Sequence, residues 1–426
     1  MNSLKTIFDH DTWQEIFGSI AKNKTRTVVT VIGVLWGIFI YITLSGSAKG
    51  LDNGFNREFQ DMAMNSMFVW PQSTSIPYGG FKIGRSPRLT IQNASVLKEQ
   101  VPEIQYIAPR NARGVRSNLG PAASVVYRDV LRTYNIYGDY PEYSKISTKK
   151  IYKGGRFFNN ADITNKRKVC VIGERTQKEL FQEEDNPVGK FIRIDNVYFQ
   201  VIGVHKFNPG GGFETDGDIF IPFDTFRNLY NTGDSVNWFV IAAYDNADVI
   251  AVEKKVKNVL KKIHKVSPYD QRAFGSFNLG EVFNRIKGFA DGMTFLSLVV
   301  GMATIFAGVI GIGNILLISV KERTNELGVR RALGATPGEV RIQIVLESVF
   351  LTLIAGILGI ILGAVALATI NFFTQDLADF PYTNPTVPTP LVLGALLIMT
   401  VMGTLIGLIP AQRAISIKPI DALREE

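Results

Sequence analysis

The sequence predicts an integral membrane α-helical protein: four transmembrane helices carrying a large α/β domain of two subdomains on a helical stalk. Three observations predict it. Four segments stay apolar for about 18 residues or more with few charges, the length a bilayer core demands. More than half of the chain separates the first of them from the second, and this stretch alternates short β-branched and aromatic runs with helical patterns. Apolar stripes also run on beyond the first span and begin before the second. The 426 residues are 46% hydrophobic, with a formal net charge of +8 and a mean hydropathy of +0.11, averages over unlike parts. One cysteine, Cys170, rules out an internal disulfide and reads as a small buried hydrophobe.

The elements follow in order. Residues 1–26 predict a cytoplasmic amphipathic N-terminal helix. Thr12, Trp13, Gln14 and Glu15 form a capping-box pattern, and Trp13, Ile16, Phe17 and Ile20 share one face. The transmembrane helices are expected at 27–48, 292–320, 342–373 and 390–412. The first run is too long for a cleaved signal peptide. Lys and Arg set the orientation. Lys5, Lys22, Lys24 and Arg26 precede the first span, Lys321, Arg323, Arg330, Arg331 and Arg341 follow the second, and Arg413, Lys418 and Arg424 follow the fourth. Both termini, the loop 321–341 and the tail 413–426 are therefore placed in the cytoplasm. The segment 49–291 and the short loop 374–389, which has no Lys or Arg, are placed outside. Glu347 is the one charge within a span, and snorkelling or pairing with Arg341 is the plainer reading than a proton or substrate site.

The stalk is read from Leu51, Phe55, Phe59 and Met62 on one side. On the other, Val282, Ile286, Phe289, Met293, Leu296 and Val300 alternate spacings of four and three, a heptad seam. As one helix, the stretch from Gly280 to Val320 would be about 60 Å long, twice a bilayer core. The seam suits pairing within the chain or across a dimer.

Within the external segment, strands are expected at Met67–Pro71, Ile104–Pro109, Thr133–Tyr137, Lys168–Ile172, Phe191–Ile194, Tyr198–Val204, Ile219–Pro222 and Trp238–Tyr244. Helices are expected at Ile91–Glu99, Glu174–Gln182, Asp224–Tyr230 and Asp248–His264. Such alternation gives α/β layers, one subdomain from the outer parts of the segment and one inserted in its middle.

The search for catalytic chemistry finds little. His10, His205 and His264 lie far apart, with no HExxH or CxxC, so a zinc site is not expected. No GxxxxGK[ST] P-loop and no GxSxG elbow occur. The Gly-rich run Asn208 to Gly217 reads as a loop, and Asp216 and Asp218 are weak grounds for a cation. The lysines of VEKKVKNVLKKIHK read as a solvated helix face, not a nucleic-acid surface.

The densest signal is the charged block Ser319 to Thr336, SVKERTNELGVRRALGAT, between two apolar spans. Extended to SVKERTNELGVRRALGATPGEVRIQIVLESV, it resembles the cytoplasmic loop and third span of the MacB-like permeases, within the wider FtsX family of ABC transporter subunits. IPAQRAISIKPIDALREE is similar to that family's closing signature, and NKTRTVVTVIGVLWGIF to its first span. GGRFFNNADITNKRKVCVIGERTQKELF with NPVGKFIRIDNVYFQVIGV is similar to its periplasmic core domain. The resemblance implies one span, a large periplasmic domain and three further spans in a bacterial inner membrane. It also implies a permease dimer, homo- or heterodimeric, and a cytoplasmic ABC ATPase that binds ATP and Mg. This chain itself is expected to bind no cofactor and no metal. The implied ATPase-coupling residues are Glu322, Arg323, Glu326, Gly328, Arg330, Arg331, Gly334 and Ala335, with Arg331 facing an acidic groove. Only 26 residues precede the first span, so the ATPase is expected on a separate chain.

The expectation is a non-enzymatic permease subunit of an ABC-type export system. It would transmit ATP-driven motion to a periplasmic domain for efflux of a drug-like, peptide or other periplasmic cargo. A periplasmic adaptor and outer-membrane duct are partners such systems admit, and nucleic acid is not. The alternatives are a lipoprotein-releasing permease, or an ATP-independent membrane receptor or scaffold.

Overall fold

The computed structural model describes residues 13–18, 24–114, 119–181, 186–207, 214–375 and 382–416. The chain divides into two compact units, residues 55–285 and the remainder.

The unit spanning 55–285 is the α/β domain. Its strands are β1 (Ser66–Pro71), β2 (Leu89–Thr90), β3 (Ile104–Arg113), β4 (Ala123–Tyr127), β5 (Val130–Tyr134), β6 (Ile136–Asp139), β7 (Val169–Gly173), β8 (Phe191–Ile194), β9 (Val197–His205), β10 (Ile219–Pro222), β11 (Ser235–Val236), β12 (Trp238–Ala243) and β13 (Phe274–Asn278). Eleven of them form one mixed sheet in the order β13-β1-β12-β3-β6-β10-β7-β9-β8-β4-β5, and β11 pairs with β2. The expected subdomains are the two ends of this sheet. Early and late strands, β1, β3, β12 and β13, make one end, and the middle of the segment, β4 to β10, makes the other. The ends meet where β3 pairs with β6. At the inserted end Val125, Ile136, Cys170, Ile172, Phe199, Val201, Ile219 and Phe226 form the core. Burial pushes the Cys170 thiol up, which keeps it inert.

The expected strand Thr133–Tyr137 is two strands broken at Asn135. There the chain changes partners, from β4 on one side to β3 and β10 on the other. The Asn135 carbonyl accepts from Ile219 N, and its amide donates to Asp218. Periodicity alone does not show such a change of partner.

The other unit is helical. Helix α1 (Lys24–Glu58) leads into the α/β domain. That domain adds α2 (Ile91–Gln100), α3 (Tyr143–Ile146), α4 (Asn160–Thr164), α5 (Glu174–Leu180), α6 (Phe223–Tyr230) and α7 (Val249–Ile263). Then come α8 (Leu279–Glu322), α9 (Thr324–Ala332), α10 (Pro337–Thr374) and α11 (Thr389–Ser416). Helices α1, α8, α10 and α11 are each long and apolar enough to cross a membrane. The 44 residues of α8 correspond to about 66 Å, so it outruns a bilayer core as expected.

Small residues let these helices approach closely, the usual packing device in lipid. Gly359 and Gly363 of α10 lie against Ile38 and Ile42 of α1, and Gly403 and Gly407 of α11 lie against the backbone of α10 at Val349 and Val345. Ser45 of α1 hydrogen-bonds Ser297 of α8 at 2.9 Å. Glu347 is buried on α10, six residues from the exposed Arg341 and so on a different face.

Candidate functional site: the charged helix between the second and third spans

The expected coupling residues lie on and around α9. Glu322 ends α8, Arg323 caps α9, and Glu326, Gly328, Arg330 and Arg331 lie on it. Gly334 and Ala335 make the turn that follows. Gly334 has φ +108°, a left-handed conformation suited to glycine, while Ala335 N donates back to the Arg330 carbonyl at 3.1 Å. The turn runs straight into the next helix. Thr336 caps α10, with Thr336 N donating to Glu339 Oε2 at 2.9 Å and Pro337 at the first helical position.

This helix is bolted to its surroundings on one face. Leu327 joins Val320 of α8, Val340 and Ile344 of α10, and Ala411 and Ala414 of α11 in a small apolar cluster. Arg330 spans both oxygens of Glu15 at 2.5 Å each, and Gln343 Nε2 donates to the same carboxylate at 2.8 Å. That bidentate fork, with Glu326 at 3.4 Å, raises the Arg330 guanidinium pKa and keeps it charged. Arg331 Nη1 donates to the carbonyl of Ile415 at the end of α11, at 2.8 Å. The Arg331 side chain, expected to face a partner's acidic groove, is therefore engaged within the chain.

Glu15 comes from a short helix over residues 13–18. Its expected capping partner Thr12 and the apolar Ile20 lie outside the described residues. Ile16 is buried, and Trp13 and Phe17 meet Phe350 of α10 edge-on at 5.1 and 5.5 Å. Of the apolar face expected on this helix, Ile16 is thus buried while Phe17 stays 55% exposed. Four elements thus converge on α9, yet its other face stays open: Val329 is 41% and Leu333 84% exposed. The sequence gives Glu15 only a capping role and marks neither Gln343 nor Leu333. A lone leucine among charges was the available signal for the last.

The expected stalk residues divide. Phe55 is buried, 4.5 Å from the Phe59 ring and 5.8 Å from Phe283, a neighbour of the expected Val282. Leu51, Val282, Ile286 and Met293 are half-buried, whereas Phe289 is 60% and Leu296 57% exposed. The face of α8 that packs on α1 is instead the small one, with Ser297 on Ser45 and Gly301 on Tyr41. The heptad seam remains an open apolar stripe.

The α/β domain holds a second polar constellation. Arg110, fully buried, forks onto Asp139 at 2.6 and 3.0 Å and reaches Glu214 at 2.5 Å. Lys149 and Tyr143 also bind Glu214. Two cations thus meet two carboxylates, a net-neutral buried cluster. Burial pushes Asp139 up to about 6 against the pull of Arg110. Burial would also raise Glu214, but Lys149 and Arg110 outweigh it and hold that carboxyl at about 2. Glu214 and Gly217 belong to the expected Gly-rich loop, of which residues 208–213 lie outside the described residues. Asp218 accepts from Thr215 and Asn135, and Asp216 pairs with Arg175 at 3.4 Å. Both acids have partners within the protein. His205 faces the Asp218 carbonyl and His264 faces Asn93. Among the described residues no group of three or more His, Cys, Asp or Glu side chains is placed to hold a metal.

Comparison with known proteins gives matches to both units. Residues 27–259 match the MacB-like periplasmic core domain, and residues 298–419 match the FtsX-like permease C-terminal domain. The macrolide export ATP-binding/permease protein MacB of Neisseria gonorrhoeae is 26% identical over 424 residues, 98% of this chain and 62% of that protein. The pyoverdine export ATP-binding/permease protein PvdT of Pseudomonas syringae pv. syringae is 27% identical over 430 residues, 97% of this chain and 60% of that protein. This chain therefore spans about three-fifths of the length of these relatives. The periplasmic region of MacB from Actinobacillus actinomycetemcomitans aligns over 55% of this chain and 97% of its own, with a TM-score of 0.43 and 20% identity.

Proposed function

We propose that this chain, which belongs to the MacB-like periplasmic core domain family and carries an FtsX-like permease C-terminal domain, is the permease of an ABC-type export system. It lies in the inner membrane with both termini cytoplasmic and the α/β domain in the periplasm. An ABC ATPase docks on α9 and the turn after it. ATP-driven motion there passes through α8 and α1 to the α/β domain, which handles a drug-like, peptide or other periplasmic cargo. Two permease copies, or a copy and a related chain, pair along the open stripe of α8. An adaptor and an outer-membrane duct extend the path.

The observation that carries this reading is the mounting of α9. Its inner face is fixed to the residue 13–18 helix, α8, α10 and α11 through Glu15, Leu327, Gln343 and Ile415, while Val329 and Leu333 stand exposed. A force on that outer face moves four membrane elements together. A solvated loop needs no such mounting, and the exposed Val329 and Leu333 leave apolar surface that a partner would remove from water. In this arrangement Arg330 and Arg331 hold the handle, and Leu333 is the part that is gripped.

The experiment is gentle purification of the full chain from its native membrane with mass spectrometry of what accompanies it. An ABC ATPase should co-purify with the wild type and be lost from Leu333→Asp, a substitution at a solvent-facing position. Equal recovery of the ATPase with both proteins would refute docking on this turn. Absence of any ATPase, where other membrane complexes survive, would favour an ATP-independent scaffold.

A further inference from the structure

The α/β domain contains an open cavity of about 700 Å³ with no assigned role. Its walls come from four strands of the large sheet: Trp70 of β1, Tyr137 of β6, Trp238 of β12 and Phe277 of β13. The volume falls in the range of small-molecule sites, and the lining sets these aromatic rings beside the polar Ser86, Arg88, Ser235, Asn237 and Ser276. Trp70 and Phe277 are half-buried at its edge, while Tyr137 and Trp238 are buried behind them. Trp70 sits opposite Gly275 in the β1–β13 pairing, and a Cβ at Gly275 would collide with the Trp70 indole. Glycine there leaves the ring room to lie on the neighbouring strand.

Two features indicate the chemistry of an occupant. Arg88 is exposed and is the one charged residue among those lining the cavity; no Asp or Glu is among them. A guanidinium over an acid-free cleft favours an anion. Ser86, Ser235, Asn237 and Ser276 add neutral polar groups to the lining, whereas the indole Nε1–H of Trp238, only 7% exposed, is closed to the cavity. The site therefore sets one positive charge and neutral polar groups among aromatic walls.

We propose that this cavity binds a small organic anion with a flat apolar body, the body against Trp70, Trp238 and Phe277 and the charge on Arg88. The assignment does not depend on the export reading. The floor of the cavity is also a wall of the buried ionic cluster: Arg110 lies 4.3 Å from the Tyr137 ring centroid and 5.8 Å from that of Trp238. An occupant therefore rests on the residues that join the two ends of the sheet.

The test uses the full chain in lipid nanodiscs, with 1-naphthaleneacetate and its uncharged amide as probes, followed by saturation-transfer difference NMR against empty nanodiscs. Saturable binding of the acetate is expected. Arg88→Gln should weaken the acetate about fivefold and leave the amide unchanged, since a charge-assisted contact is lost from only one of them. Ser86→Trp, at an exposed lining position, should block both probes by filling the mouth. No saturable signal above empty nanodiscs overturns the proposal, as does equal sensitivity of acid and amide to Arg88→Gln. Undiminished binding in Ser86→Trp places the probe elsewhere and overturns it as well.

Discussion

Glu15 is expected to be the pin that holds the short helix of residues 13–18 on α9. Its carboxylate accepts three hydrogen bonds, two from Arg330 at 2.5 Å and one from Gln343 at 2.8 Å. The Glu15 and Arg330 side chains are 30% and 32% exposed, so the pair lies between a surface pair, worth at most about 1 kcal/mol, and a buried one, whose breakage costs about 3–5 kcal/mol. We take about 1–2 kcal/mol for Glu15→Ala after discounting for solvent. That multiplies the opening constant of this contact by about 5 to 30. Hydrogen-exchange mass spectrometry of the full chain reads it directly, as lost protection in peptides covering 13–18 and 324–332 with little change in the α/β domain. Arg330→Ala should give a similar loss, and the double variant should be no worse than the singles by more than a few tenths of a kcal/mol. Unchanged protection in Glu15→Ala, or full additivity of the two substitutions, would refute the pin.

Three further outcomes follow from the structure. Arg110→Met strands Asp139 in the interior, while Glu214 keeps Lys149 and Tyr143, and should cost about 3–5 kcal/mol, seen as a fall of several degrees in the unfolding midpoint of the α/β domain; Arg110→Met/Asp139→Leu should recover part of it. The same cluster sets an acid limit. Glu214 is held at about 2, below its ordinary 4.5, so its stabilisation is present above pH 4.5 and is lost as pH falls towards 2. Asp139, raised to about 6, acts oppositely but only between its ordinary 3.8 and 6. Below pH 3.8 Asp139 no longer opposes, and Glu214 shares the slope with Asp162, Glu253 and Asp270, whose carboxyls are also held low by their partners; Glu214→Gln should therefore reduce the slope in an acid-unfolding series, and an unchanged slope would contradict the assignment. Finally, Ile286→Asp with Phe289→Asp should leave the chain inserted and folded, because Phe289 is exposed, yet abolish coupling between ATP hydrolysis and export. Normal export in that double variant would count against the stalk.

Much of the fold was legible in the sequence because its signals are physical and local. The four spans follow from length and hydropathy, and α8 as one helix from an unbroken seam of Val282, Ile286 and Met293. Most strands of the large sheet follow from β-branched runs such as Val169–Gly173 and Trp238–Ala243. What escaped was long-range pairing. Phe274–Asn278 has too few β-branched residues to read as a strand, yet it pairs along all of β1 but Ser66. The Arg110–Asp139–Glu214 cluster joins residues over a hundred positions apart, and periodicity carries no trace of it. At α9 the sequence marks the charges as facing a partner, whereas the structure engages Arg330 and Arg331 within the chain. A charged residue looks the same in sequence whether it binds its own chain, as Arg331 does, or waits for another.

The central claim is that the turn after α9 is where an ATPase takes hold. The most direct measurement places a photo-crosslinking amino acid at Leu333 of the full chain in its native membrane, with Phe295, an exposed position on α8 outside α9 and its turn, as the control. Irradiation should join the Leu333 variant to an ABC ATPase, with a yield that changes when ATP is trapped, while the Phe295 variant gives no such product. No ATPase adduct at Leu333, or an equal yield from Phe295, would contradict the account.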